Sequence, residues 1–138
     1  MARASIERQH ERMKELIDRH IDPDSAFDRR ADELIEKRLD FHQVAWPTAQ
    51  LCRVLALTQP VVQDELTTNR AKLRAEVKRT FRNEFRGLSV ADARETLALL
   101  DVTLSLEAID LLKRDQAFSR PRVKRTLHRA VVSILRHI

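Results

Sequence analysis

Few residues in this 138-residue chain are spaced for chemistry. Glu7 and His10 form a Glu-x-x-His pair, the spacing of one half of a di-metal carboxylate site in a helical bundle. A working site needs a second such pair, and the sequence has none. His-Glu-x-x-His, Cys-x-x-Cys and Gly-x-Ser-x-Gly are absent. A single glycine, Gly87, excludes a backbone cradle for phosphate. The five histidines, at 10, 20, 42, 128 and 137, are scattered. Cys52, the lone cysteine, lies between Leu51 and Arg53 in an apolar stretch and reads as a small hydrophobe rather than a nucleophile. The expectation is a protein that is not an enzyme and that takes no metal and no cofactor.

Charge and apolar surface carry more information. About a third of the residues are charged (34%). Yet the stretch LALLDVTLSLEAIDLLKRDQAFSRP, Leu97 to Pro121, opens with sixteen residues that are mostly apolar. Net charge is +5 and uneven: from Lys113 onward eight Lys/Arg face one acid, Asp115. Such a basic end can meet phosphates, or can be a solvated helix face with cations near helix C-termini.

These residues must be positioned by helices. One glycine and four prolines leave few breaks, and Leu, Ala, Arg and Glu are abundant. Periodicity predicts an all-α antiparallel bundle of about six helices in a single domain, 1–138. The first runs from about Ala4 to His20 and stops before Pro23. The second starts at an Asp24/Ser25 cap, and Pro47 breaks or kinks it. A short third helix carries Leu51, Cys52, Leu55 and Ala56. Pro60 opens a long fourth helix to about Arg86, closed by Gly87 in a left-handed conformation. Ser89 caps a fifth helix that runs unbroken to about Arg114. Ser119 and Pro121 open a sixth.

On a helical wheel the fifth helix is apolar nearly all round. Leu97, Leu100, Leu104, Ala108 and Leu111 share one sector, and Leu99, Val102, Leu106 and Ile109 lie roughly opposite. One face packs inward. The other needs cover, either from a second copy across a twofold axis or from within a monomeric bundle. The charged start MARASIERQHERMKELIDRH lacks the apolar run of a secretory signal, and no run approaches the ~20 apolar residues of a membrane span. A cytoplasmic setting without a membrane is expected.

The segment TLSLEAIDLLKRDQAFSRPRVKRTLHRAVVSIL resembles the end of the effector-binding domain of TetR-family transcriptional regulators. The match lies in a Ser-Leu-Glu-Ala segment, the LLKRDQ helix end and a Ser-started final helix. RADELIEKRLDFHQVAWPTAQLCRVLALTQPVVQDELTTNRAKLRAEVKRTF is similar to the same domain upstream, so the resemblance covers roughly Phe27 to Ile138. It implies a homodimer through the last two helices and a cavity for a small apolar effector. The interface candidates it implies are Leu99, Val102, Leu106, Glu107, Ile109, Val131, Ile134 and Leu135. Its cavity candidates are Leu34, Arg38, Phe41, His42, Trp46, Leu55, Leu73, Val77, Phe81 and Leu100, each with core packing as the competing role. Arg38 and His42 stand out, because charge on an inward stripe needs a partner.

The sequence departs from the family in two places. The N-terminal three-helix DNA reader is missing, and 1–21 resembles a remnant of the helix that links it to the effector domain. Ala117 stands where similar sequences often carry glycine after RDQ. The resemblance therefore implies a ligand-responsive dimerisation domain of a repressor, without sequence-specific DNA binding by this chain alone. The alternative, from the charge pattern, is a basic helical protein that binds nucleic acid or a partner non-specifically through Lys113–Arg136.

Overall fold

The computed structural model describes residues 2–136, with side chains for Arg8 and for 11–136. Among the described residues there is no strand. The helices are α1 (Ala2–Asp18), α2 (Phe27–Ala56), α3 (Pro60–Thr80), the single turn α4 (Arg82–Phe85), α5 (Val90–Thr103), α6 (Leu106–Asp110) and α7 (Arg120–Arg136). Apart from α4, six helices pack together. A π-helical turn, Leu111–Asp115, succeeds α6.

α2 is the axis of the fold, packing against α1, α3, α6 and α7, while α5 bridges α3 and α7. Its apolar stripe, Ala31, Leu34, Ile35 and Leu39, meets Val77 and Phe81 of the α3 end, Leu100 and Leu104 of the α5 end, Ile109 of α6, and Val123, Leu127 and Val131 of α7. These side chains are buried within one chain and form one core.

Four boundaries differ from those predicted. The long fourth helix does not reach Arg86: α3 ends at Thr80, Phe81 leaves the helical conformation at φ −108° and ψ 23°, and only the turn α4 follows. Pro47 does not end the second helix; α2 continues through it for thirty residues, so the expected third helix is its last two turns. Pro47 is exposed, and the carbonyl it leaves without a helical partner belongs to exposed Gln43, where water can serve. Asp24 and Ser25 do not cap α2. Ala26 precedes it without a side-chain cap, and Asp22 instead organises the turn, accepting from the Asp24 N–H at 2.9 Å and, through its carbonyl, from Ser25 Oγ at 2.9 Å.

The last correction concerns the fifth helix. It breaks at Leu104, and Ser105 opens α6 by accepting from the Ala108 N–H at 3.1 Å while donating to the Val102 carbonyl at 2.7 Å. The break rotates α6 relative to α5, so Leu104, Leu106 and Ile109 all turn inward. Much of the apolar surplus is thus hidden by one chain. Leu99, Val102 and Leu111 remain exposed.

Ser89 caps α5 as expected, accepting from the Asp92 N–H at 3.1 Å, and Gly87 adopts φ 83°. Beyond the π turn, the Phe118 N–H bonds the Leu112 carbonyl at 2.9 Å in a Schellman-type stop. Its left-handed residue is Ala117, at φ 55°, a conformation that costs a non-glycine residue about 1–2 kcal/mol.

Ion pairs fasten α7 along α2. Asp28, Asp32, Glu36 and Asp40 recur every four residues, and His128, Lys124 and Arg120 meet them in reverse order. Hydrogen bonds from Lys124 and Arg120 hold the Glu36 carboxyl below the usual range. Burial pushes Asp40 up, but hydrogen bonds from Arg120 and Arg19 outweigh it and the net direction is down. Part of the predicted basic tail is therefore already neutralised inside the fold.

Candidate functional site

Three cations of α2 are buried where the sequence shows an inward stripe, and each binds the end of another helix. Arg30 donates to the Thr80 carbonyl at the end of α3 (2.9 Å) and pairs with Glu84. Lys37 donates to the carbonyls of Ile17 (3.3 Å) and Arg19 (2.8 Å), at the end of α1. Arg38, 1% exposed, donates to the Leu104 carbonyl where α5 breaks (3.2 Å) and to the Leu73 carbonyl of α3 (2.7 Å). The last carbonyls of a helix have no partner within it and carry partial negative charge, so a cation there is doubly favourable. Lys37 and Arg38 also share Glu76, itself 12% exposed. Burial pulls the Arg38 guanidinium below its ordinary value, and Glu76 opposes that shift.

Lys37 and Arg38 border a cavity of about 710 Å³ between α1, α2, α3 and the α5–α6 corner. Its wall is mostly apolar: Met13 and Ile17 from α1; Phe41, Ala45, Trp46, Ala49 and Cys52 from α2; Leu66 and Leu73 from α3; Val102 and Leu106 from the corner. Arg38 and Glu76 lie toward one end, Arg53, Arg70 and Glu107 toward the other. Trp46 is held between His42, stacked at 5.3 Å, and Arg53, whose guanidinium lies 5.4 Å from the indole ring. A volume within 300–1,000 Å³ and a largely apolar wall are attributes of a small-molecule site, and this one carries ten charged side chains besides.

The structure sorts the predicted residues. Arg38, Phe41, Trp46 and Leu73 line the cavity. Leu34, Val77, Phe81 and Leu100 are sealed in the core and contribute no cavity wall. Leu55 is half-buried and lies outside the lining. His42 is buried behind Trp46, 3.4 Å from Asp110, and neither ring nitrogen has a hydrogen-bond partner among the described residues. Burial, reinforced by nearby Lys113, pushes His42 below its usual value against the opposite pull of Asp110, so the ring is neutral at pH 7.

Of the predicted interface residues, Val102, Leu106 and Glu107 line the cavity. Ile109 and Val131 are fully enclosed and offer no surface to a second copy, because the turn at Ser105 and the inner stripe of α7 point them into the core. Ile134 and Leu135 are half-buried against that core, and Leu99 is exposed.

Sequence reading missed Lys37, Arg53, Arg70 and Glu76. Lys37 carried a usable signal, since it neighbours Arg38 beside the apolar stripe. The joining of Arg53 to Arg70 and Glu107 had none, because it depends on how α2, α3 and α6 meet. No group of three or more metal-ligating side chains occurs among the described residues; the side chains of Glu7 and His10 lie outside them. No helix there is long and apolar enough to cross a membrane. The chain matches no known family model, no curated protein and no solved structure.

Proposed function

We propose that this chain is a ligand-responsive dimerisation module of TetR-like kind, which binds a small, largely apolar effector and reads no DNA itself. The cavity of about 710 Å³ carries the proposal. The mechanism is a population shift. Met13 and Ile17 form part of the wall, and Lys37 ties the end of the same helix to α2. A bound effector then favours one placement of α1 over another, and in a dimer the distance between two such helices is the output. Exposed Leu99 and Val102 of α5, with half-buried Ile134 and Leu135 of α7, offer apolar surface to a second copy.

Nucleic-acid binding through the basic C-terminal region is the weaker reading, since Arg120, Lys124 and His128 already face acids of α2.

The test is fluorescence titration with the uncharged probe N-phenyl-1-naphthylamine, together with native mass spectrometry. One saturable site per chain is expected. Ala49→Trp, which fills the cavity, removes binding while the melting temperature holds. Absence of saturable binding overturns the proposal. In sedimentation the chain is expected to be a dimer at micromolar concentration, made monomeric by Leu99→Glu with Val102→Glu; a monomeric unmodified chain refutes the dimeric part.

A further inference from the structure

Resting on that reading of the cavity, we infer that its ligand is an anionic amphiphile, an apolar chain ending in a carboxylate whose head lies between Arg53 and Arg70. Seven Lys/Arg line the cavity against three Asp/Glu. The excess is not spread evenly. At the α1 end Lys37 and Arg38 are consumed, sharing Glu76 and binding four backbone carbonyls between them. Among the described residues, the one unpaired cation at that end is exposed Arg79, a single guanidinium rather than a facing pair.

The opposite end is under-neutralised. Glu107 alone balances two guanidinium groups: Arg53 bonds it directly, and Arg70 stands 3.6 Å away. Lys72, on the α3 stretch between Arg70 and Glu76, also lines the cavity and has no acidic partner among the described residues. A ligand carboxylate beside Glu107 makes a two-to-two cluster, and each forked guanidinium can donate bidentately to a carboxylate. The apolar wall then lies behind the head. Arg53 to Arg38 is fifteen residues of α2, about 22 Å of helix, with Trp46, Ala49, Ala45 and Phe41 between. Both cations and Glu107 are between a third and a little over half exposed, so the head sits at a wet mouth and the chain in a dry bed.

Decanoate, decanol and decylammonium share one chain and differ in the head. Competition against the uncharged probe, at low salt, ranks them. Decanoate is expected to bind about tenfold or more tighter than decanol, the gain of charge-assisted hydrogen bonds at a half-exposed site, and decylammonium weakest. Lengthening decanoate to dodecanoate tightens binding by about tenfold. Arg70→Gln, at a half-exposed position, is expected to remove most of the preference for decanoate and leave decanol unchanged. Glu107→Gln is expected to raise the affinity for decanoate.

If decanol equals or exceeds decanoate, or if the probe binds and none of the three competes, the inference is overturned while the cavity stands. If neither the probe nor any of the three binds, the function proposed above fails with it. A decanoate preference that survives Arg70→Gln unchanged also overturns the placement of the head.

Discussion

Replacing Glu76 by glutamine tests the packing argument at its most sensitive point. Among the described residues, Glu76 is the only carboxylate paired with Lys37 and Arg38, whose side chains are 7% and 1% exposed. Removing one partner from a buried pair costs about 3–5 kcal/mol, because the remaining charge is uncompensated. Two charges lose their partner here, which argues for the upper end. Against that, Lys37 keeps the Ile17 and Arg19 carbonyls, Arg38 keeps those of Leu73 and Leu104, and the glutamine oxygen still accepts one bond.

We take about 3 kcal/mol as the balance. For a domain whose total stability is about 5–15 kcal/mol that is a large fraction. At roughly 3–5 °C per kcal/mol for this size, the melting temperature falls by about 10–15 °C. Urea unfolding followed by circular dichroism measures it, with the m-value checking that the native state stays compact. Lys37→Met in the same background is expected to recover part of the loss, since an apolar side chain tolerates the site that a lone cation does not. A loss below about 1 kcal/mol, the range of exposed ion pairs, refutes the reasoning and places Lys37 and Glu76 in water.

Other parts of the fold respond in their own ways. Ala117→Gly relieves the left-handed strain at φ 55° but adds freedom to the unfolded chain, for a net gain of about 0.5–1 kcal/mol in urea unfolding; a loss refutes the strain argument. Phe81→Ala empties a fully buried position and costs about 3–5 kcal/mol, a cost under ~1 kcal/mol contradicting its place in the core. Acid titration of stability is expected to show two steps. His42 has a native value below its ordinary 6.5, so its contribution is full above pH 6.5 and declines as pH falls from there. His42→Phe abolishes that step. Glu36 and Asp40 are held below their ordinary 4.5 and 3.8, so their contribution is present above those values and is lost as pH falls through the lower native ones. Lys124→Gln with Arg120→Gln flattens the second step; an unchanged profile refutes the role of these pairs.

Helix content was legible from composition, and the cap at Ser89 and the left-handed turn residue Gly87 from residue type, although the helix that Gly87 was expected to close ends at Thr80. Ala117 was legible as a position suited to glycine, and the backbone there is left-handed. Two breaks were misread for opposite reasons. Pro47 signals a stop, but an exposed carbonyl can do without its bond. Ser105 sits in an apolar run with no proline or glycine near it, yet its hydroxyl caps a new helix, and buried Arg38, distant in sequence, takes up the freed Leu104 carbonyl. That partnership spans 66 positions, beyond what local periodicity reports. For the cavity, Arg38 and Trp46 were legible as unusual residues on an inward stripe. The gathering of Arg53, Arg70 and Glu107 was not, because three helices supply one residue each.

Arg30, Lys37 and Arg38 together stake the ends of α3, α1 and α5 to a single helix. None of these three helices can come loose without stripping a buried cation of its acceptors, and α2 cannot unwind through this stretch without disturbing all three. Disassembly is therefore all-or-none. The fluorescence of Trp46, the sole indole, and the far-ultraviolet signal of the whole backbone should trace one superimposable curve.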